Sequence, residues 1–150
     1  MEFRWYRFGE LTVDELYSML ALRQGVLVVE QQSPYRDVDF VDQAASHLFT
    51  TSGAELVGYA RCHGPFGKAA HASFGRLVVA KQYRGKELVQ RALAHLAQEW
   101  SEVVIGAQLY LEKFYSHFGF VREGEPYDDV GVVHIKMRLR LQKALLDLPG

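Results

Sequence analysis

Residues 73–100, SFGRLVVAKQYRGKELVQRALAHLAQEW, decide how this chain is organised, because an apolar strand meets an amphipathic helix within them. Leu77, Val78 and Val79 read as strand, whereas Leu88, Ala92, Leu93, Leu96 and Trp100 recur at helical spacing. The change of period falls within residues 81–87, where Lys81, Gln82, Arg84 and Lys86 crowd around Gly85. A helix start presents unpaired backbone N–H groups and the positive end of the macrodipole, so a basic, glycine-containing turn there suits a phosphate or pyrophosphate. The plainer alternative is an ordinary strand-to-helix turn with solvated lysines.

Upstream, residues 47–51 and 55–62 read as two strands around a turn at Ser52 and Gly53, with Val57, Tyr59 and Arg61 on one face. Gly64, Pro65 and Gly67 turn the chain back into residues 73–79, so three antiparallel strands precede the basic turn. Earlier still, residues 3–8 alternate aromatic and basic side chains, as a strand packed on one face does. Thr12 and Glu15 form a capping box ahead of Leu16, Met19, Leu20 and Arg23 at helical spacing. The apolar run VLVVEQ then ends at Glu30 and Gln31, and Ser33-Pro34 opens a polar loop.

That loop carries Asp37, Asp39 and Asp42. A calcium loop starting at Asp37 would need glycine where Asp42 stands and glutamate where Leu48 stands, so a dedicated metal site is not expected. Three carboxylates following Glu30 read as an acidic wall, either solvated or turned toward a cationic substrate.

Downstream, residues 103–107 read as a short strand and residues 108–117 as a helix aligning Leu111, Phe114, Tyr115 and Phe118. Gly119 suits its C-cap, and residues 120–122 start another strand. Residues 124–131 are acidic and turn-rich, with Tyr127, Asp128 and Asp129. Residues 132–139 alternate as a last strand, with His134, Lys136 and Arg138 opposite Val133, Ile135, Met137 and Leu139. Residues 141–150 read as a short terminal helix or a frayed end.

At 150 residues the chain is near the modal domain size and can bury roughly 70% of its unfolded surface, so one domain spanning 1–150 is expected. A net charge of −1 offers no general pull toward nucleic acid or anionic membrane. No apolar run approaches a membrane span, and MEFRWYRFGE has charges where a leader needs apolar residues, so a cytoplasmic location is the default expectation. The single cysteine, Cys62, excludes an internal disulfide and sits in an apolar strand, where a buried reduced thiol is expected in preference to a nucleophile.

The element order β-α-β-β-β-α-β-α-β-β, with a basic glycine turn after the third antiparallel strand, resembles the GNAT acyltransferase superfamily over nearly the whole chain. Residues 82–87, QYRGKE, sit where that superfamily carries its coenzyme A pyrophosphate loop. Residues 108–120, QLYLEKFYSHFGF, resemble the helix whose tyrosine is followed by a Gly-Phe pair, with Tyr115 at the matching position. Residues 22–42, LRQGVLVVEQQSPYRDVDFVD, with IGAQ at 105–108 and VGVVHIKM at 130–137, resemble the ElaA-like subgroup.

The resemblance implies an α/β, GNAT-like fold with a mixed, mostly antiparallel central sheet of seven strands flanked by helices. It implies an N-acetyltransferase that moves an acetyl group from acetyl-coenzyme A to a primary amine by direct attack, Tyr115 acting as general acid and no metal taking part. The donor would lie along Leu77, Val78 and Val79, with Gln82, Arg84, Gly85, Lys86, Glu87, Leu88 and Val89 as the pyrophosphate turn and Gln108 adding a side-chain contact. Glu30, Asp37, Asp39, Arg76 and His134 would border the acceptor, a small-molecule or peptide amine. Removing a proton from the amine falls to His134, an imidazole being the usual side-chain base, with Glu30 the carboxylate alternative. The resemblance leaves room for a homodimer.

The chain departs from the superfamily loop at Glu87, and in a shifted register at Val89, where small residues belong. Bulk there motivates an alternative from another class: a non-catalytic GNAT-fold module with weakened coenzyme A binding that senses a ligand or partner.

Overall fold

The computed structural model describes residues 1–80 and 85–141. The expected features at Lys81, Gln82 and Arg84, and those of residues 142–150, lie outside the described residues. Among the described residues seven strands and three α-helices follow in the expected order: β1 (Glu2–Arg7), α1 (Val13–Arg23), β2 (Ser46–Ser52), β3 (Glu55–His63), β4 (Ser73–Val79), α2 (Gly85–Leu96), β5 (Glu102–Gln108), α3 (Glu112–Ser116), β6 (Val121–Asp129) and β7 (Val132–Arg140).

The strands form two antiparallel sheets, β1-β2-β3-β4 and β5-β7-β6. Among the described residues one parallel bridge, Ala72 to Val103, joins them, with Val104 N–H donating to Ala72 O at 3.0 Å. Beyond that point β4 and β5 do not pair, and the gap between them is the main feature of the fold.

Alternation assigns the two faces. Cys62 and Phe74 pair on one face, which continues through Ile105, Ala107, Ile135 and Met137 and packs on Val89, Ala92, Leu93 and Leu96 of α2. Arg61, His63, Ser73 and Gly75 take the opposite face, in line with Gly106, Gln108 and His134 across the gap. α1 covers part of that face, packing Met19 on Phe49 and Tyr59. Its start is the expected capping box: Thr12 Oγ1 accepts from Glu15 N–H at 3.1 Å, and Glu15 Oε1 accepts from Thr12 N–H at 2.9 Å.

Several boundaries differ from the sequence expectation. The VLVVEQ run continues α1 as a π-helical segment, Gln24–Glu30, which ends in a turn with Gln32 at φ 50°, ahead of Pro34. α2 stops at Leu96, and Trp100 N–H closes a turn onto Leu96 O at 2.9 Å. The helix expected over 108–117 divides into a 3₁₀ turn, Leu109–Leu111, and α3. β6 runs through the acidic stretch to Asp129, because the turn needs only Val130 and Gly131, at φ 50° and 81°.

Among the described residues no helix is long and apolar enough to cross a membrane, and no three His, Cys, Asp or Glu residues gather as metal ligands.

Candidate active site

The gap between β4 and β5 opens into a cavity of about 440 Å³. Leu77, Arg76 and Ser73 border it from β4, Ile105 and Gln108 from β5, His134 from β7 and Tyr115 from α3. Tyr115 belongs to the face packed by α2 and α3, His134 to the face across the sheet. The cavity is therefore bordered from both faces of the sheet, by Tyr115 on one and His134 on the other.

Tyr115 is 7% exposed and wedged among Phe74, Phe114 and Phe120, with ring centroids 5.1–6.2 Å away. Burial, with a smaller contribution from Tyr110, pushes its pKa up to about 12, so the hydroxyl keeps its proton throughout the physiological range. His134 places Nδ1 2.9 Å from Val132 O and lies against Tyr127 with ring centroids 5.9 Å apart. A carbonyl only accepts, so Nδ1 carries the hydrogen and the neutral ring has its lone pair on Nε2. His63, which borders the same cavity, is set in the same way by Gly64 O at 2.8 Å.

Gln108 Nε2 donates to Gln31 Oε1 at 3.3 Å, tying the end of β5 to the end of the π-helical segment. Gly106 leaves room for the Tyr127 hydroxyl: a Cβ on it would lie 2.7 Å from that oxygen.

At the start of α2, Leu88 and Val89 are buried in the core, 2% and 0% exposed. Their side chains belong to the core, as does that of Val78. Val79 lies beside Gly85, and Lys86 is exposed. Glu87 bends back along the helix to Arg91, Oε1 to Nη2 3.2 Å, and the Arg91 guanidinium stands 3.7 Å over the Phe3 ring. Among the described residues, a Cβ on Gly85 would meet Val79 Cγ1 alone, at 3.9 Å, an ordinary van der Waals contact.

The acidic loop is placed differently from its expectation. Asp37 and Asp39 do not form a free acidic wall, because arginines engage them together with Asp42. Arg23, wholly buried, donates through Nε to Asp37 Oδ2 at 3.0 Å and through Nη1 to Asp42 Oδ1 at 2.8 Å. Arg61 grips both Asp39 oxygens at 2.8 Å and reaches Asp42 Oδ1 at 2.9 Å. Arg76 Nη2 donates to Asp39 Oδ2 at 3.0 Å, and its Nε lies 2.9 Å from Asp37 Oδ1. Three arginines thus neutralise three aspartates.

Burial alone would raise the Asp39 pKa, but the Arg61 bonds and charge, the Val41 amide and Arg76 hold it down at about 2. Behind this network His47 Nε2 donates to Asp42 O at 2.8 Å, leaving Nδ1 to accept from the Tyr59 hydroxyl at 2.6 Å. Burial lowers the His47 pKa and keeps the ring neutral. Glu30 is exposed and is not among the residues bordering the cavity, so the structure does not bring it to Tyr115 and His134.

Sequence reasoning missed Arg23, Arg61, Tyr35 and His63 as parts of this region. A signal existed: Arg23 falls on the apolar stripe of α1 and Arg61 within an apolar strand, and a buried guanidinium requires anionic partners.

A split sheet with a helix start at one end and a tyrosine at the gap defines an acyltransferase-type fold. The chain belongs to the GNAT family: residues 17–141 match the model of the acetyltransferase (GNAT) domain. Protein ElaA of Escherichia coli is 34% identical over 145 residues, covering 91% of this chain and 95% of that protein. A UPF0039 protein of Synechocystis is 39% identical over 144 residues, 91% of this chain and 94% of that protein. Among solved structures, an acyl-CoA N-acyltransferase from Pseudomonas aeruginosa superposes with a TM-score of 0.86 at 33% identity, covering 92% and 99% of the two chains. E. coli ElaA superposes at 0.84 and 34%, covering 91% and 97%.

Proposed function

We propose that this chain is an N-acetyltransferase that transfers an acetyl group from acetyl-coenzyme A to a primary amine by direct attack, with Tyr115 as general acid. The observation that supports it most is the cavity between β4 and β5, bordered by Tyr115 from one face of the sheet and by His134 from the other. Attack on a thioester asks for those positions: a group near the departing sulfur, and a proton acceptor on the side from which the amine arrives.

The residues present fit a coenzyme A thioester. The first amides of α2, from Gly85 onward, would hold the diphosphate, and Glu87 is drawn away from them by Arg91. The free edge of β4 at Leu77 and the Gln108 side chain would align the pantetheine arm. Positioning two reactants can lower a barrier by roughly 7 to 11 kcal/mol, so this alignment carries more of the rate than any single proton transfer.

Tyr115 then supplies the proton. A phenol held up at about 12 is a weak acid in water, but the burial that raises it raises a departing thiol too. Cys62, buried in the same core, shows the effect: burial alone pushes its thiol up. Acid catalysis of this kind contributes about 10² to 10⁴ in rate.

An alkyl amine with a pKa near ~10.4 is almost wholly protonated at neutral pH. His134 Nε2, unprotonated in the neutral ring and on the acceptor face, takes that proton directly or through a water. The burial of Val89 in the core and the pairing of Glu87 with Arg91 favour donor binding over a non-catalytic module.

The test is release of free coenzyme A from acetyl-coenzyme A in the presence of a panel of amines. Amine-dependent release supports the reading. Tight donor binding with no release for any amine would leave a binding module instead.

A further inference from the structure

The carboxylates expected to attract a cation stand behind arginines, and the wall of the cavity shows the arginines instead. Arg61 and Arg76 border the cavity, whereas Asp37, Asp39 and Asp42 do not. Asp129 is the carboxylate that borders it, beside His134 on the opposite side.

Arg76 is aimed there at a cost. It lies at φ 51°, on a bulge where Arg76 and Leu77 together oppose Ala60 of β3. A side chain with a Cβ is strained in this region, and such strain gathers at functional sites. The surroundings hold the side chain firmly: Asp39 and the Asp37 carbonyl accept from Nη2, and the Tyr35 ring lies 5.1 Å from the guanidinium carbon. Tyr35 is itself fixed by its hydroxyl, which donates to Asp37 Oδ1 at 2.7 Å. Nη1 of Arg76 has no hydrogen-bond partner among the described residues, and the side chain is 21% exposed.

We infer that the acceptor amine also bears a carboxylate, as an amino acid does, and that Arg76 Nη1 receives that carboxylate while the amine faces His134 and Asp129. A guanidinium locked by two aspartates and an aromatic ring is preorganised, so an incoming carboxylate need not order it. A polycationic acceptor would meet two guanidinium groups instead of the acidic wall the sequence suggested. The inference rests on the acyl-transfer reading above and narrows its substrate class.

The experiment compares kcat/KM for acetyl transfer to L-amino acids with neutral side chains, to the same amino acids as carboxamides, and to aliphatic diamines. Free acids are expected to exceed their carboxamides by about tenfold or more, the range of a charge-assisted hydrogen bond. Replacing the carboxylate also lowers the amine pKa and enlarges its free-base fraction, which works against the expected preference and makes it harder to obtain by accident. Arg76→Met should bring the ratio close to one, and Arg76→Lys should keep part of it, with thermal melts confirming that both variants fold.

Carboxamides or diamines that match or exceed the acids in the unaltered protein would overturn the inference while leaving acyl transfer intact. If no amine is acetylated, calorimetry of the same amino acids in the presence of coenzyme A separates the two ideas. Heat that disappears in Arg76→Met keeps the carboxylate site and removes acyl transfer, and absence of heat overturns the carboxylate site.

Discussion

The Glu87 carboxylate lies 3.2 Å from Arg91 Nη2, one turn further along α2 and away from the helix start. The one acidic residue in the first turn of that helix is thereby directed off the amides that would meet a diphosphate. What remains is through-space repulsion, about 0.7 kcal/mol for charges ~6 Å apart in water. Glu87→Gln should therefore tighten coenzyme A binding about threefold at low ionic strength, and the gain should fade as salt is added. Calorimetric titration at two salt concentrations measures it.

Gly85 gives a sharper separation of fold from function. Its Cβ position is open among the described residues, so Gly85→Ala should raise stability by about 0.4 to 1 kcal/mol through the unfolded state. If a diphosphate approaches the backbone there, the same methyl should weaken coenzyme A binding about tenfold. A raised melting temperature with unchanged affinity would place the diphosphate elsewhere.

Tyr115→Phe keeps the ring that packs on Phe74, Phe114 and Phe120, so the fold and donor affinity should persist. Turnover should fall by about 10² to 10⁴. An acid works only below its own pKa, and here burial holds that pKa near 12. In the unaltered protein the alkaline limb of kcat should therefore show no loss from Tyr115 up to about pH 10. Stopped assays across pH on both proteins read the two effects together.

The arginine-aspartate network gives the fold an acid-sensitive part. Asp39 titrates lower in the folded chain than unfolded, so its stabilisation is complete above the ordinary carboxylate range and is lost as pH falls toward about 2. His47, whose pKa is lowered by burial, acts in the same direction: its contribution is full above the usual histidine pKa and declines below it. Stability should decline in two stages on acidification, and His47→Gln should remove the earlier one. Urea midpoints from pH 7 to pH 3 give the profile.

Much of this fold could be read from local signals. The strand Ser73–Val79, the Thr12 and Glu15 capping box and Gly119 at φ 97° each follow from neighbours within a few residues. Tyr115 stood out through the family resemblance, since its spacing alone favours a core aromatic. The fate of Asp37, Asp39 and Asp42 was not legible. Their partners come from α1, β3 and β4, up to 39 residues away in the chain, and only the folded sheet brings those guanidinium groups to the loop. The π-helical segment was hidden for a related reason: its apolar residues satisfy either a strand or a helix, and packing decides between them.

The most direct measurement is a crystal structure with coenzyme A bound. The expected result places the diphosphate on the first amides of α2, the pantetheine arm between β4 and β5, and the sulfur within hydrogen-bonding reach of the Tyr115 hydroxyl. A diphosphate bound away from Gly85, or a sulfur out of reach of Tyr115, would contradict it.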